Sequence, residues 1–334
     1  MLTEQNDAQA LLVLPRLRVQ NANAISSPMT WGFPAITAFT GFMTALERKL
    51  GRAAGLSFHG VGVICHGFEP QVANSGYTRS FNLTRNPVLQ DGSTAAIVEE
   101  GRVHLDVTLV FDVRLDSALI AENERRRLAA EIHAQVAGMR LAGGSVMPPL
   151  AGAFQRTPRA QLVTQHPPHL RRLSRRWLPG FALVSRDDLL QTRLAELQTQ
   201  QPEATVLDAW LDLSRLNYRA SPTTSAEADQ VTWAIDKREG WLVPIPVGFA
   251  ALSALHPSGT VAGVRDASVP FQFVECVYSI GQWISPHRIQ DIDRLMWRTR
   301  FDDTTGLYRC VNAYQPPSTP AAYNPETDLD SYID

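Results

Sequence analysis

Two apolar periods take turns along the first half of this chain, one of two residues and one of three to four. Leu11–Val19 is a short apolar run broken by Pro15, which fits a strand at a sheet edge or one carrying a bulge. The polar loop QNANAISSPMTWGFP follows. Ile36, Phe39, Met43, Leu46 and Leu50 then predict a helix from about Pro34 to Leu50, with Pro34 suited to a first turn. Gly60–Phe68 reads as a second strand. Val103–Val113 reads as a third, with Val103, Leu105, Val107, Leu109 and Phe111 on one face. Leu128, Ile132, Val136 and Met139 predict a second helix from about Glu122 to Met139, ending in a turn over Arg140–Ser145. Gly180–Ser185 would close the sheet.

That order predicts an α+β, ferredoxin-like or RNA-recognition-type domain over residues 1–186, with 69–102 inserted between strands two and three. Beyond Arg186 the pattern turns helical, at about 187–199 and 205–216. A Ser/Thr/Glu-rich linker follows at 221–230, then an extended stretch from Trp241 to Pro246 and an apolar segment of uncertain type from Phe271 to Trp283. Residues 187–314 are therefore expected to be mainly helical and partner-binding. The Pro/Asp-rich tail, 315–334, is expected to order only on a partner.

With 334 residues, 44% of them hydrophobic, the chain can bury a sizeable core in one or two domains. It has no eighteen-residue apolar run, and no basic leader precedes its first apolar run, so a membrane span and a secretory signal are not expected. Three scattered cysteines suggest neither a disulfide framework nor a zinc site. A cytoplasmic chain without metal or cofactor is the expectation.

Charge changes the picture. The net charge of −2 argues against nucleic acid, but residues 1–186 carry twenty Lys+Arg against thirteen Asp+Glu, and residues 187–334 carry eleven against twenty. From Ile132 to Arg186 there are eight arginines and no acid, and Ala8–Leu46 and Pro70–Gln90 are also acid-free. Such asymmetry points the amino-terminal half at a polyanion. Only two lysines occur in the chain. Arginine suits phosphate because its planar fork donates paired hydrogen bonds, although a GC-rich genome would also favour it.

Several segments could supply contacts. Asn21, Asn23 and Ser26 lie in a neutral, polar loop before the first helix, where a phosphate would meet free N–H groups. Trp31 and Phe33 could stack on bases. Helix capping and an aromatic staple would explain the same residues. Arg85 and Asn86 fit single-strand contacts or a β-turn. Arg140 beside Gly143 and Gly144 fits a close backbone approach to a ligand or an ordinary helix C-cap. Arg175 and Arg176, with Arg171 and Arg172, would make one basic helical face, for phosphate or for solvent. His59, His66 and His104 could serve a ribonuclease as acid and base, but no nucleophile or carboxylate accompanies them, and no catalytic residue is assigned.

Read together, PRLRVQNANAISSPMTWGFP, AFTGF, FNLTRNP, DGSTAAIVEEGR, GMRLAGGS, LPGFALVSR, GWLVPIP and ISPHR closely resemble one family. It is the smaller tail subunit of type I-F CRISPR–Cas (Csy) surveillance complexes, and the likeness spans about 11 to 310. Stretches near 114–127, 150–170 and 217–237 depart from it. The resemblance implies a domain of the RAMP superfamily that binds the crRNA 5′ handle and catalyses nothing. It also implies pairing with the large tail subunit, contact with the first backbone subunit on the spacer RNA, and proximity to target DNA near the protospacer-adjacent motif. Carried over by position, Arg16, Arg18, Asn21, Asn23, Ser26 and Trp31 form the first RNA-facing segment. Arg85 and Asn86 fall in the insertion, Arg102 precedes the third strand, and Arg140–Ser145 forms the Gly-rich loop. The acidic half, with Trp241, Ile245 and Phe249, would face a partner subunit. A repeat-RNA endoribonuclease and an RNA-free scaffold are the alternative functions.

Overall fold

The computed structural model describes residues 8–76, 78–85, 88–89, 91–116, 121–148, 159–164, 173–223, 230–236, 238, 240–289 and 291–316. Its main element is one antiparallel sheet of eleven strands: β1 (Ala8–Asn23), β2 (Leu56–Pro70), β3 (Arg102–Leu115), β4 (Arg140–Leu141), β5 (Gly144–Met147), β6 (Gln161–Thr164), β7 (Phe181–Ser185), β8 (Trp241–Ala251), β9 (Val274–Ile284), β10 (Trp297–Asp302) and β11 (Leu307–Asn312). The order is β4-β5-β1-β3-β2-β7-β9-β8-β11-β10, with β6 also paired to β1.

The early elements form where the pattern places them. α1 (Ile36–Leu50) buries Ile36, Phe39, Phe42, Met43 and Leu46, and α2 (Glu122–Ala137) buries Leu128, Ala129, Ile132 and Val136. Each fully buried apolar side chain of this kind contributes about 1.5–3 kcal/mol. Both helices cover the face of the sheet that carries Leu12, Leu14, Val107, Leu109 and Phe111. Leu11, Val13 and Val110 point the other way and pack with Leu173, Trp177, Ala182 and Val184. β1 is therefore buried on both sides. Its Pro15 sits at a bulge within a central strand, with register shifts between Leu14 and Leu17 and again between Val19 and Ala22. Arg16 and Asn21, at those shifts, have positive φ of 53° and 56°.

The expectation of a ferredoxin-like domain followed by a mainly helical part is overturned. Gly180–Ser185 does contain a strand, but β7 lies between β2 and β9 and carries the sheet onward into the carboxy-terminal half. β8, β9, β10 and β11 follow. The path then returns to β2 through Trp297 opposite Val61, so that β2, β7, β9, β8, β11 and β10 close a six-stranded ring. Trp297 plugs it, fully buried, with its indole N–H donating to the Leu183 carbonyl at 2.8 Å. The two helices expected here exist as α3 (Asp187–Gln200) and α4 (Val206–Ser214), the latter opened by a Thr205–Asp208 capping box. They pack onto β8 and β9 through Leu190, Trp210, Ile280 and Leu242. The ends of the expected linker are a hairpin, Tyr218–Thr223 against Gln230–Ile235.

Candidate nucleic-acid interface

The insertion after β2 contains two small hairpins, Val72–Ser75 with Thr78–Phe81 and Leu83–Arg85 with Ile97–Glu99. Residues 20–31 are not a helix-opening loop. Gln20–Asn23 finish β1, and Ile25–Ser27 pairs with Thr30–Trp31 in a tight hairpin held by Ser26, Ser27 and Thr30 hydroxyls. Asn23 caps its own turn, its side chain bonding both the N–H and the carbonyl of Ile25.

Gly143 and Gly144 are not a helix C-cap either. α2 stops at Ala137, and Arg140–Leu141 turns back on Gly144–Met147 through Ala142 and Gly143, with φ of 50° and 78°. Two positive-φ residues between paired strands are the turn that matches sheet twist. The tip is tied to β1, since the Asn23 N–H donates to the Ala142 carbonyl at 2.8 Å. Gly144 is where the two backbones nearly touch: a Cβ there would lie 2.7 Å from both the Ala22 nitrogen and the Gln20 carbonyl oxygen. The glycine serves the chain's own packing.

Three clefts flank this end of β1. One, of about 630 Å³, runs between the first turns of α1 and the hairpin tip, lined by Asn23, Ser26, Thr37, Arg140 and Gly143 among others. A second, of about 310 Å³, lies on the far side of the tip and contains Asn21, Asn23, Arg102 and Gly143, together with Glu99 and Glu100. A third, of about 300 Å³, opens over β1, β2 and β3 and holds Arg18, Gln20 and His104, together with Glu69 and Asp106. Seven expected contacts, from segments far apart in sequence, thus gather around one hairpin tip: Asn21, Asn23, Ser26, Arg102, Arg140, Gly143 and, as the Arg140 strand partner, Ser145, while Arg18 stands farther along β1 opposite Met147. α1 adds uncapped backbone at Ala35 and no acid in its first turn, which suits an anion.

The arginines differ in availability. Arg16 bonds Asp106 at 2.9 Å, and Arg102 is engaged by Glu100, whose carboxyl is held below the usual range by Arg102 and then Thr84. Arg18, Arg85 and Arg140 make no ion pair with any described residue, although Arg18 stands opposite Asp106 across β1 and β3 and shares its cleft with Glu69. Arg85 stands on its hairpin opposite Ile97 and lines none of the three clefts. Arg175 and Arg176 are exposed on a short helical turn away from them, whereas Asn86, Arg171 and Arg172 lie outside the described residues. Phe33 is not free to stack: it packs on Phe39 and against Trp283, ring centroids 5.4 and 4.9 Å away. Trp31 keeps half of its surface open. Of the residues expected to face a partner, Ile245 is buried in the core, and Phe249 borders the cleft at α1.

Residues 12–310 match a family model described as CRISPR-associated protein (Cas_Csy2). A relative named CRISPR-associated protein Csy2, from Pseudomonas aeruginosa (strain UCBPP-PA14), is 47% identical over 315 residues, covering 91% of this chain and 95% of that protein. The chain belongs to the Csy2 family. No helix among the described residues of this Csy2-family chain is long and apolar enough to cross a membrane.

In this Csy2-family protein His59, His66 and His104 are tied into the scaffold. His104 Nδ1 accepts the Asn21 N–H at 3.1 Å and so helps to hold the second bulge, and His59 bonds Ser57. His66 Nδ1 donates to the Pro179 carbonyl at 2.7 Å. Its Nε2 accepts from Thr108, whose oxygen in turn accepts the Arg16 N–H at 3.1 Å. In this direction the relay has a neutral ring, and a charged ring would donate from Nε2 instead. Burial, first, and then Arg16 push the His66 pKa below its ordinary 6.5, against the Pro179 bond and Asp106. The proton therefore prefers the unfolded chain, and stability present above pH 6.5 is lost as pH falls through the lower folded value. We expect the urea midpoint to drop between pH 7.5 and 5.5, and to drop less in His66→Asn. Equal drops would remove His66 as the cause.

Proposed function

We propose that this protein is the non-catalytic subunit of a type I-F Csy surveillance complex that holds the 5′ handle of the guide RNA. The observation that carries the reading is the gathering of Asn21, Asn23, Ser26, Arg102, Arg140 and Gly143 into two clefts sharing one hairpin tip. Neutral amides, exposed backbone and one unopposed guanidinium suit a single strand, whose phosphates take the cation and the N–H groups while its base edges meet amides. Family membership supports the same role. In this reading the large tail subunit and the first backbone subunit are its protein partners, and target DNA passes near the pair.

The structural employment of His59, His66 and His104 supports a subunit that binds without cutting. So does Cys65, whose thiol is pushed up to about 12 by burial and is no nucleophile at neutral pH. Labelled repeat RNA should survive incubation with the pure protein. Cleavage that disappears in a histidine variant would establish the endoribonuclease instead.

Arg140→Ala should weaken handle binding about ten-fold or more, the scale of one lost charge-assisted hydrogen bond, with an unchanged melting temperature. Arg85→Ala should weaken it less, because Arg85 stands outside the clefts. Filter binding or fluorescence anisotropy with a handle oligonucleotide gives both numbers. Wild-type affinity in both variants would leave the scaffold reading.

A further inference from the structure

A fourth cavity, of about 430 Å³, is built differently from the three that flank the end of β1. Trp31, Phe33, Phe68, Phe181, Trp241 and Trp283 line it, with Cys65–Gly67 and the aliphatic residues Leu183, Val243 and Ile245 on its walls. No Asp, Glu, Lys or Arg contributes to that lining. Its rings are braced on one another: Trp283 packs edge-on to Phe33 at 4.9 Å, Trp241 edge-on to Phe181 at 5.6 Å, and Trp241 lies 6.2 Å from Trp283. Yet Trp31, Phe68, Phe181 and Trp241 remain between 44% and 58% exposed, so much of their surface is open. Packed edges with open faces make a platform.

Two facts say what the platform faces. The hairpin Ile25–Trp31 bridges the cavities, placing Ser26 in the cleft at α1 and Trp31 in the aromatic one. Gly67 and Phe68 are shared with the cleft that holds Arg18 and His104. The aromatic cavity is thus a neutral, apolar side room of the proposed RNA path. We propose that one unpaired base of the bound strand turns out of that path and stacks in this cavity, on the Trp31 and Trp241 rings. Base faces are apolar and polarisable and need no charge to be held, whereas the base's sugar and phosphate would stay outside among the polar clefts. The inference rests on the RNA reading above and adds a subsite to which β8, from the acidic half, contributes Trp241.

The test uses the full-length chain assembled with its partner subunits on a synthetic guide. 2-Aminopurine is placed at each handle position in turn, and abasic residues likewise. We expect one position to be strongly quenched and the quench to be relieved in Trp241→Ala. At that position an abasic residue should weaken guide binding about ten-fold in the wild type and barely at all in the variant. Phe181→Ala, at another exposed ring, gives a second reading should Trp241→Ala disturb assembly. Wild-type guide affinity with no position coupled to either ring overturns the subsite and leaves the RNA reading intact. Loss of a protein subunit from the variants, without base coupling, overturns it in favour of a protein contact. No handle affinity in the wild-type chain overturns both.

Discussion

Trp297→Ala is expected to lower the unfolding free energy by about 3–5 kcal/mol, the range for deleting a fully buried indole. The residue has no solvent-accessible surface, packs in the main core, and sits where β10 meets β2. Truncation removes the plug and leaves the Leu183 carbonyl without the indole N–H that now satisfies it at 2.8 Å. The ring should loosen at that seam first. Trp297→Phe narrows the comparison, since it keeps most of the apolar volume and loses the donor with the remainder of the indole. We expect it to cost about 1–3 kcal/mol. Urea unfolding of the three proteins measures both differences, and an alanine variant as stable as the wild type would show that the seam does not hold the ring shut.

The second large effect is expected at Gly144. A methyl group there meets three β1 backbone atoms at 2.7–2.8 Å, and backbone cannot move aside as a side chain can. Gly144→Ala should therefore cost about 1–3 kcal/mol, as overpacking does, and displace the hairpin from β1. Because Arg140, Ala142 and Gly143 ride on that hairpin, guide binding should fall in the same variant. Gly143→Ala is the control: its φ is +78° but nothing stands within 4 Å of the added carbon. It should cost only the strain of left-handed backbone, about 1–2 kcal/mol, and leave the tip in place. If the two variants bind guide equally well, the close approach at Gly144 does not position the interface.

These two residues mark the limits of what the chain discloses before it folds. The Ile36–Leu46 stripe and the Val103–Phe111 alternation locate α1 and β3 because a half-buried element repeats its environment at a fixed interval. Pairing leaves no such trace. Gly180–Ser185 reads correctly as a strand, but nothing in FALVS says that it lies beside β2 and β9. Of the carboxy-terminal strands, β8 reads as an extended stretch from Trp241 to Pro246, but its central place in the sheet and the other strands are obscured for local reasons. β8 carries Pro244 and Pro246, which ordinarily argue against a central strand. β10, WRTRFD, buries only Trp297 and so shows no alternation. The Tyr218–Thr223 strand contains Ser-Pro and reads as linker.

The site divides in the same way. Acid-free stretches and neutral amides single out Asn21, Asn23, Ser26 and Arg140 as candidate contacts, because missing acids are a property of composition, but that they line adjoining clefts comes only with the fold. Whether an arginine is already occupied is not. The Glu100 partner of Arg102 is two residues away and readable in hindsight, but Asp106 facing Arg16 follows only from the β1–β3 register. Nor does Trp241 announce its company with Phe181 and Trp283, since those neighbours come from two other strands.

The closed ring also limits how this molecule can be joined to others. A strand whose N–H and C=O groups are already paired on both sides offers no template for an incoming extended segment. Among the described strands of the main sheet, the margins left open are short: the two-residue β4, the four-residue β6, and the five residues Arg298–Asp302 of β10, which meets β2 only at Trp297. Neighbouring chains therefore find little backbone to extend and must grip this one mainly by side chains and loops, which fixes them in a discrete register and gives short purchase for the strand-by-strand growth that ends in fibres.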